Sequence, residues 1–101
     1  NPEYFDALFN LGASHYNYGA EFLTQANAIN PKDDKDGSKY NALFDQFKVE
    51  AELALTILEK AHGINPSDLG TMQNLKEIYY RLKMNDKMQE MNEKIKAVQS
   101  N

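Results

Sequence analysis

The sequence predicts an all-α fold of about four helices arranged as antiparallel hairpins. Three observations carry this. Apolar residues recur at helical spacing through most of the chain, no stretch alternates at period two as a half-buried strand would, and the Pro, Gly and Asp residues gather at a few breaks. At 101 residues the chain is expected to be a single small domain with a modest core.

The stretch 40–66 organises the rest. Tyr40, Phe44, Phe47, Ala51, Ala54, Leu58 and Ala61 step alternately by four and three residues, so one apolar stripe faces one way along a helix from about Ser38 to His62. Gly63 is expected to supply the left-handed residue that ends it. Pro66, which has no N–H to donate, cannot continue it. Asp36 or Ser38 is the expected cap at its start.

Upstream, Asn1 suits an N-cap and Pro2 the first helical position, where a missing N–H is harmless. The first helix is expected to bury Phe5, Leu8, Leu11, His15, Tyr18, Phe22 and Ile29, with small Gly12, Gly19 and Ala26 beside that face, until Pro31 stops it. Gly19 inside one helix costs about 1 kcal/mol relative to Ala. The face continues in phase across it, which favours one helix over a separate short helix at 20–29. Residues 30–38, reading NPKDDKDGS, form a turn between the two long helices. A third helix is expected from Ser67 to Leu82, burying Met72, Leu75, Tyr79 and Leu82. Asn85 or Asp86 then caps a fourth, whose stripe is Met88, Met91, Ile95 and Val98.

Composition excludes several functions. Eleven basic against fifteen acidic residues give a net charge of −4, whereas nucleic-acid binding requires a basic footprint. The chain has no cysteine, so disulfides, thiol catalysis and thiolate metal sites are excluded. No apolar run approaches the roughly 18 to 20 residues of a membrane span, so membrane insertion is not expected. A first residue other than methionine leads to the expectation of a fragment or a processed form.

An internal repeat points further. At an offset of 64, NPEYFDALFNLGASHYNYG (1–19) aligns with NPSDLGTMQNLKEIYYRLK (65–83). Asn1, Pro2, Asn10, Leu11 and Tyr16 recur as Asn65, Pro66, Asn74, Leu75 and Tyr80, and Leu8 answers to Met72. Leu8, Leu11, Gly12 and Pro31 or Pro66, then Ala54, Leu58, Ala61 and Pro66, then Met72, Leu75, Tyr79, Met88 and Ile95 follow the landmarks of a helix–turn–helix unit. In these residues the chain resembles the tetratricopeptide repeat (TPR), a unit of about 34 residues. There are departures: His15 stands where Tyr is usual, Lys76 replaces the signature Gly, and Lys83 replaces the turn Gly.

The resemblance implies a TPR-like alpha-alpha superhelix of antiparallel hairpins, here a first hairpin over 3–62 with its loop at 30–38 and a second over 67–99, cut from a longer array. Pro2 to Pro66 is 64 residues, about 30 more than one unit. Shared between the two helices, the excess lengthens the first hairpin by roughly 16 Å. Such an elongated hairpin is similar to variants in bacterial TPR proteins, some of them exported. Its outer half, with Tyr40, Phe44 and Phe47, is expected to pack only on Phe22, Ala26 and Ile29, and to be where a specific partner is recognised.

Candidate chemistry is sparse. Neither His15 nor His62 has a second ligand at helical spacing, so no metal site and no catalytic residue is expected. His15 reads as a satisfied semi-buried histidine, and His62 lies near a helix C-terminus, where a positive charge is favoured. The tip DDKDG fails as a calcium loop: with Gly37 at the sixth position, the first and twelfth fall on Lys32 and Leu43. No glycine-rich phosphate loop is present, no cofactor is expected, and Asn65-Pro66-Ser67 is not a glycosylation site.

The resemblance does imply a binding face. Tyr16 and Tyr80 take equivalent positions beside the core stripe, on the face that lines the concave surface of TPR proteins. Asp6, Phe9, Asn10, Ala13 and Asn17 share that face in the first copy, and Gln73, Asn74, Glu77 and Arg81 in the second. Asn10 and Asn74 offer donor and acceptor to an extended peptide backbone, while Phe9 and Tyr16 offer apolar contact. The family's carboxylate clamp is not expected, because Phe9 and Gln73 stand at its lysine positions. The resulting expectation is a non-catalytic scaffold for a protein or peptide partner, with self-association through a terminal hairpin as a further possibility. The alternatives are a small ligand-binding or enzymatic bundle and a structural spacer.

Overall fold

Pro31 and the Asp-rich segment behind it divide the chain into two long helices, and Asn65-Pro66 and Lys83-Met84 mark the next two breaks. The computed structural model describes residues 2–100: α1 (Pro2–Asn27), α2 (Ser38–Ile64), α3 (Leu69–Arg81) and α4 (Asn85–Gln99), with one 3-10 turn at Pro31–Asp33. The fold is all-α, without strands among the described residues. Asn1, the expected first cap, lies outside them.

At 26 and 27 residues, α1 and α2 are each about 40 Å long, roughly 20 Å longer than α3 and α4. They run antiparallel, since contacts move down α2 as they move up α1. Gly12 meets Leu58, His15 meets Glu50, and Gly19 meets Phe47 and Glu50. α1 passes through Gly19 unbroken. A Cβ at Gly19 would lie 2.9 Å from Glu50 Cβ and 3.3 Å from the Phe47 carbonyl oxygen, so the missing side chain is what lets the helices approach.

The buried stripe of α2 is Phe47, Ala51, Ala54, Leu58 and Ala61, all without solvent exposure. Burying Phe47 and Leu58 contributes roughly 1.5–3 kcal/mol each, and the three alanines keep the neighbouring helices close. Tyr40, expected in this stripe, is 38 % exposed. It stands at the tip beside Ala26, Ile29, Pro31 and Gly37, at the edge of a cleft rather than in the closed core. Gly63 does not end α2: it is helical, the helix runs on to Ile64, and no left-handed conformation occurs there.

α1 is rotated from expectation. Its buried positions are Gly12, Gly19 and Ala26, seven residues apart, whereas Leu11 and Tyr18 are 49 % and 54 % exposed. The closest approach of two helices is set by backbone and Cβ atoms, so the small residues take the seam and the larger ones flank it. Tyr18 instead stacks edge-on against Phe22, with ring centroids 5.1 Å apart.

The caps differ as well. α2 starts from Gly37, at φ 74°, with no side-chain cap of its own. Asp34 reaches over instead, its Oδ1 accepting from Lys39 N–H and its Oδ2 from Tyr40 N–H, both at 2.9 Å. Asp36 accepts from Ser38 N–H at 3.0 Å, which holds its carboxyl below the ordinary value. The acidic tip thus works as helix-start architecture.

α3 begins at Leu69 rather than Ser67, because Asp68 caps it by accepting from both the N–H and the hydroxyl of buried Thr71. It ends in a Schellman motif: Met84 N–H donates to Tyr79 O and Lys83 N–H to Tyr80 O. Lys83 holds the left-handed position at φ 61°. Neither Asn85 nor Asp86 caps α4; Met84 precedes it without a side-chain cap. Met72, Leu75, Ile78, Tyr79, Met91 and Ile95 complete the core, and Leu82, Met88 and Val98 are half-buried around it.

Candidate functional site

The site grows from the edge of α3 that faces α1. Gly70, Asn74, Glu77 and Arg81 recur at spacings of four, three and four, and so share one side of a helix. At the upper end, Phe9 takes the space above Gly70, where a Cβ would lie 3.6 Å from the Phe9 ring. Phe9 also stacks on Phe5 with centroids 6.3 Å apart. In the middle, Tyr16 Oη donates to Glu77 Oε1 at 3.4 Å, and Arg81 Nε donates to the same oxygen at 2.9 Å.

Tyr16 is half-buried, its ring edge-on to Phe47 of α2 at 6.2 Å. Burial and then the Glu77 carboxylate push its pKa up, so it stays a neutral hydrogen-bond donor. One tyrosine therefore ties α1, α2 and α3 together. Tyr80, its counterpart in the repeat, sits differently: it is 56 % exposed and lies under the Arg81 guanidinium, 5.6 Å from the ring centroid.

Of the residues expected on the binding face, Phe9, Tyr16 and Glu77 are thus engaged in joining the helices. Asn10 and Asn17 are exposed on α1, Gln73, Tyr80 and Arg81 are exposed on α3, and Ala13 and Asn74 are half-buried. Asp6 is exposed farther along α1. His15 Nδ1 meets Glu50 Oε1 at 3.0 Å. His62 has its Nδ1 buried without a hydrogen-bond partner, and burial, then Lys94, lower its pKa. The C-terminal helix field expected to favour a charged His62 is outweighed by desolvation. Among the described residues no three His, Asp or Glu side chains gather as a metal would require.

A cleft of about 300 Å³ opens at the lower end of this face, where the hairpin's outer half passes the α3–α4 turn. Leu23 and Asn27 of α1, Tyr40 and Phe44 of α2, Tyr80 and Arg81 of α3, and Lys83 and Asn85 of the turn line it. The outer half of the hairpin is therefore not packed solely on α1, as the sequence predicts, but shares this cleft with α3. Tyr40 and Phe44 stack nearly parallel, 6.4 Å apart at 10°, and Phe44 leans on Phe47 at 5.7 Å. The i, i+4 aromatic pair was visible in the sequence. Its meeting with Arg81 and Lys83 was not, since nearly forty residues separate them.

Compared with known proteins, the chain matches no family model, no curated protein and no solved structure. Among the described residues, no helix is long and apolar enough to cross a membrane.

Proposed function

We propose that the protein is a non-catalytic interaction module that holds an extended peptide or protein segment along the face shared by α1 and α3, in the manner of two TPR-type hairpins. The observation that carries this reading is the Tyr16–Glu77–Arg81 junction. It fixes the spacing of the two helices while leaving the amide side chains of Asn10, Asn17 and Gln73 exposed along their margins. Amides can satisfy both the donors and the acceptors of an extended backbone. A preorganised, polar-edged surface loses little conformational entropy on binding.

The test is capture of partners by the immobilised protein, with Asn10 and Asn74 changed together to Ala. These positions avoid the internal bridge made by Tyr16, and circular dichroism checks that the variant keeps its helices. Loss of the captured partner is expected; capture equal to the unaltered protein removes the reading.

A second reading, self-association, rests on a separate observation. Leu11 and Tyr18 of α1 and Val49 and Leu53 of α2 are each 46–59 % exposed. By helical phase they lie on the side of the first hairpin turned away from α3. Sedimentation equilibrium decides it: a concentration-dependent mass that Leu11→Glu abolishes supports a homo-oligomer, and a monomer at all concentrations ends the idea.

A further inference from the structure

The cleft beside the α3–α4 turn combines features that the groove reading does not use. One wall is aromatic and aliphatic, from Leu23, Tyr40 and Phe44. The other carries Tyr80, Arg81 and Lys83, and no carboxylate is among the residues lining the cleft. In a chain of net charge −4, the lining of the cleft is locally basic: Glu77 beside it balances Arg81, and Lys83 carries the remaining positive charge. Arg81 is held in place: Glu77 takes its Nε–H and the Tyr80 ring lies under its guanidinium. Its guanidinium also engages Tyr16, and an arginine already oriented loses little freedom on binding.

Lys83 is the second cation of the lining. It occupies the left-handed position of the Schellman motif, at φ 61°, which glycine adopts without steric cost and a lysine does not. Strain of this kind persists when the surrounding structure over-determines it, as the two Schellman hydrogen bonds do here. Here the backbone puts Lys83 at the mouth of the cleft.

We propose that this cleft binds an acidic segment of a partner protein that presents one aromatic or large aliphatic side chain next to an aspartate or glutamate. The apolar side chain enters between Leu23, Tyr40 and Phe44, and the neighbouring carboxylate meets Arg81 and Lys83. The proposal rests on the peptide-scaffold reading and specifies its ligand. Aromatic rings with cations also suit single-stranded nucleic acid, but a polyanion would be repelled by the acidic remainder of the chain. A peptide bearing one or two carboxylates meets only the local field.

The test is fluorescence anisotropy with a labelled, N-acetylated and C-amidated peptide in which one phenylalanine is flanked by two aspartates, titrated with the unaltered protein, K83G and R81Q. The unaltered protein is expected to bind, with affinity falling as salt rises. K83G is expected to bind roughly five- to tenfold more weakly while its melting temperature rises by a few degrees, about what relief of a strained left-handed residue gives. R81Q weakens binding in the same direction, and replacing the two aspartates by lysines abolishes it.

Any of four outcomes overturns the proposal: no binding by the unaltered protein, equal binding by K83G, binding only when the peptide has a free C-terminal carboxylate, or tighter binding of single-stranded RNA. Failure of the wider reading is seen separately, in partner capture by the Asn10 and Asn74 variant. A cleft that fails with a groove that holds, or the reverse, is therefore recognisable.

Discussion

A methyl group placed on Gly12 would come within 2.6 Å of Leu58 Cγ and 2.8 Å of its Cδ2. Leu58 is fully buried and cannot swing clear without opening the core. Gly12→Ala is therefore expected to destabilise the protein by about 1–3 kcal/mol through overpacking, although alanine is the better helix former by about 1 kcal/mol. Urea denaturation followed by circular dichroism measures the difference.

Gly63 provides the contrast. It is helical, its φ is not positive, and nothing lies within 4 Å of the Cβ it lacks. Gly63→Ala is expected to stabilise the protein by about 0.5–1 kcal/mol, through helix propensity and a less disordered unfolded chain. Loss of stability in the same urea experiment would mean that α2 ends before that residue.

Tyr79, 5 % exposed, donates its hydroxyl hydrogen to Glu59 Oε2 at 2.8 Å. Burial, and then that neighbouring carboxylate, push its pKa well above the ordinary 10.0. The neutral form is thus favoured by folding. Its contribution is complete below pH 10 and is lost as pH rises above it, because the unfolded chain then releases the proton and the folded one does not. Tyr79→Phe is expected to cost about 1 kcal/mol at neutral pH and to flatten the alkaline decline in melting temperature.

His62 acts on the acid side. Its ring shares a cavity with Glu59, Tyr79, Lys87, Glu90, Met91 and Lys94. Burial, then Lys94, place its pKa below the ordinary 6.5. The folded state therefore resists protonation. Stability from this group is present above pH 6.5 and lost as pH falls through the folded value. His62→Gln is expected to remove that part of the acid decline, read as melting temperature between pH 7 and pH 5.

Asp34 receives the first two amides of α2's opening turn that its carboxylate can reach, Lys39 and Tyr40. Asp34→Ala is expected to cost about 1–2 kcal/mol and to speed amide exchange at those two residues. Asp36, held below its ordinary pKa of 3.8 by Ser38 N–H, adds stability that is present above pH 3.8 and lost as pH falls below it.

Much of the layout was legible in the sequence. The stripe from Phe47 to Ala61, the turn at 30–38, and the cores of α3 and α4 follow from helical spacing and from Pro, Gly and Asp positions, which act within a few residues of themselves. The candidate site was legible only as a set of positions. Nothing in the spacing of Tyr16, Glu77 and Arg81 shows that the first two would meet across 61 residues, or that Phe9 would occupy the space above Gly70.

What the tertiary structure alone decided is which side of α1 faces inward. Leu11 and Gly12, like Tyr18 and Gly19, are sequence neighbours about 100° apart on the helix, so both stripes keep the same period. Hydrophobicity favours the Leu11 and Tyr18 side. Helix separation favours the glycine side, and it prevails because α2 presents Leu58, Phe47 and Glu50 at a distance that only a residue without a side chain tolerates. That distance is a property of two helices together, and it belongs to neither sequence segment by itself.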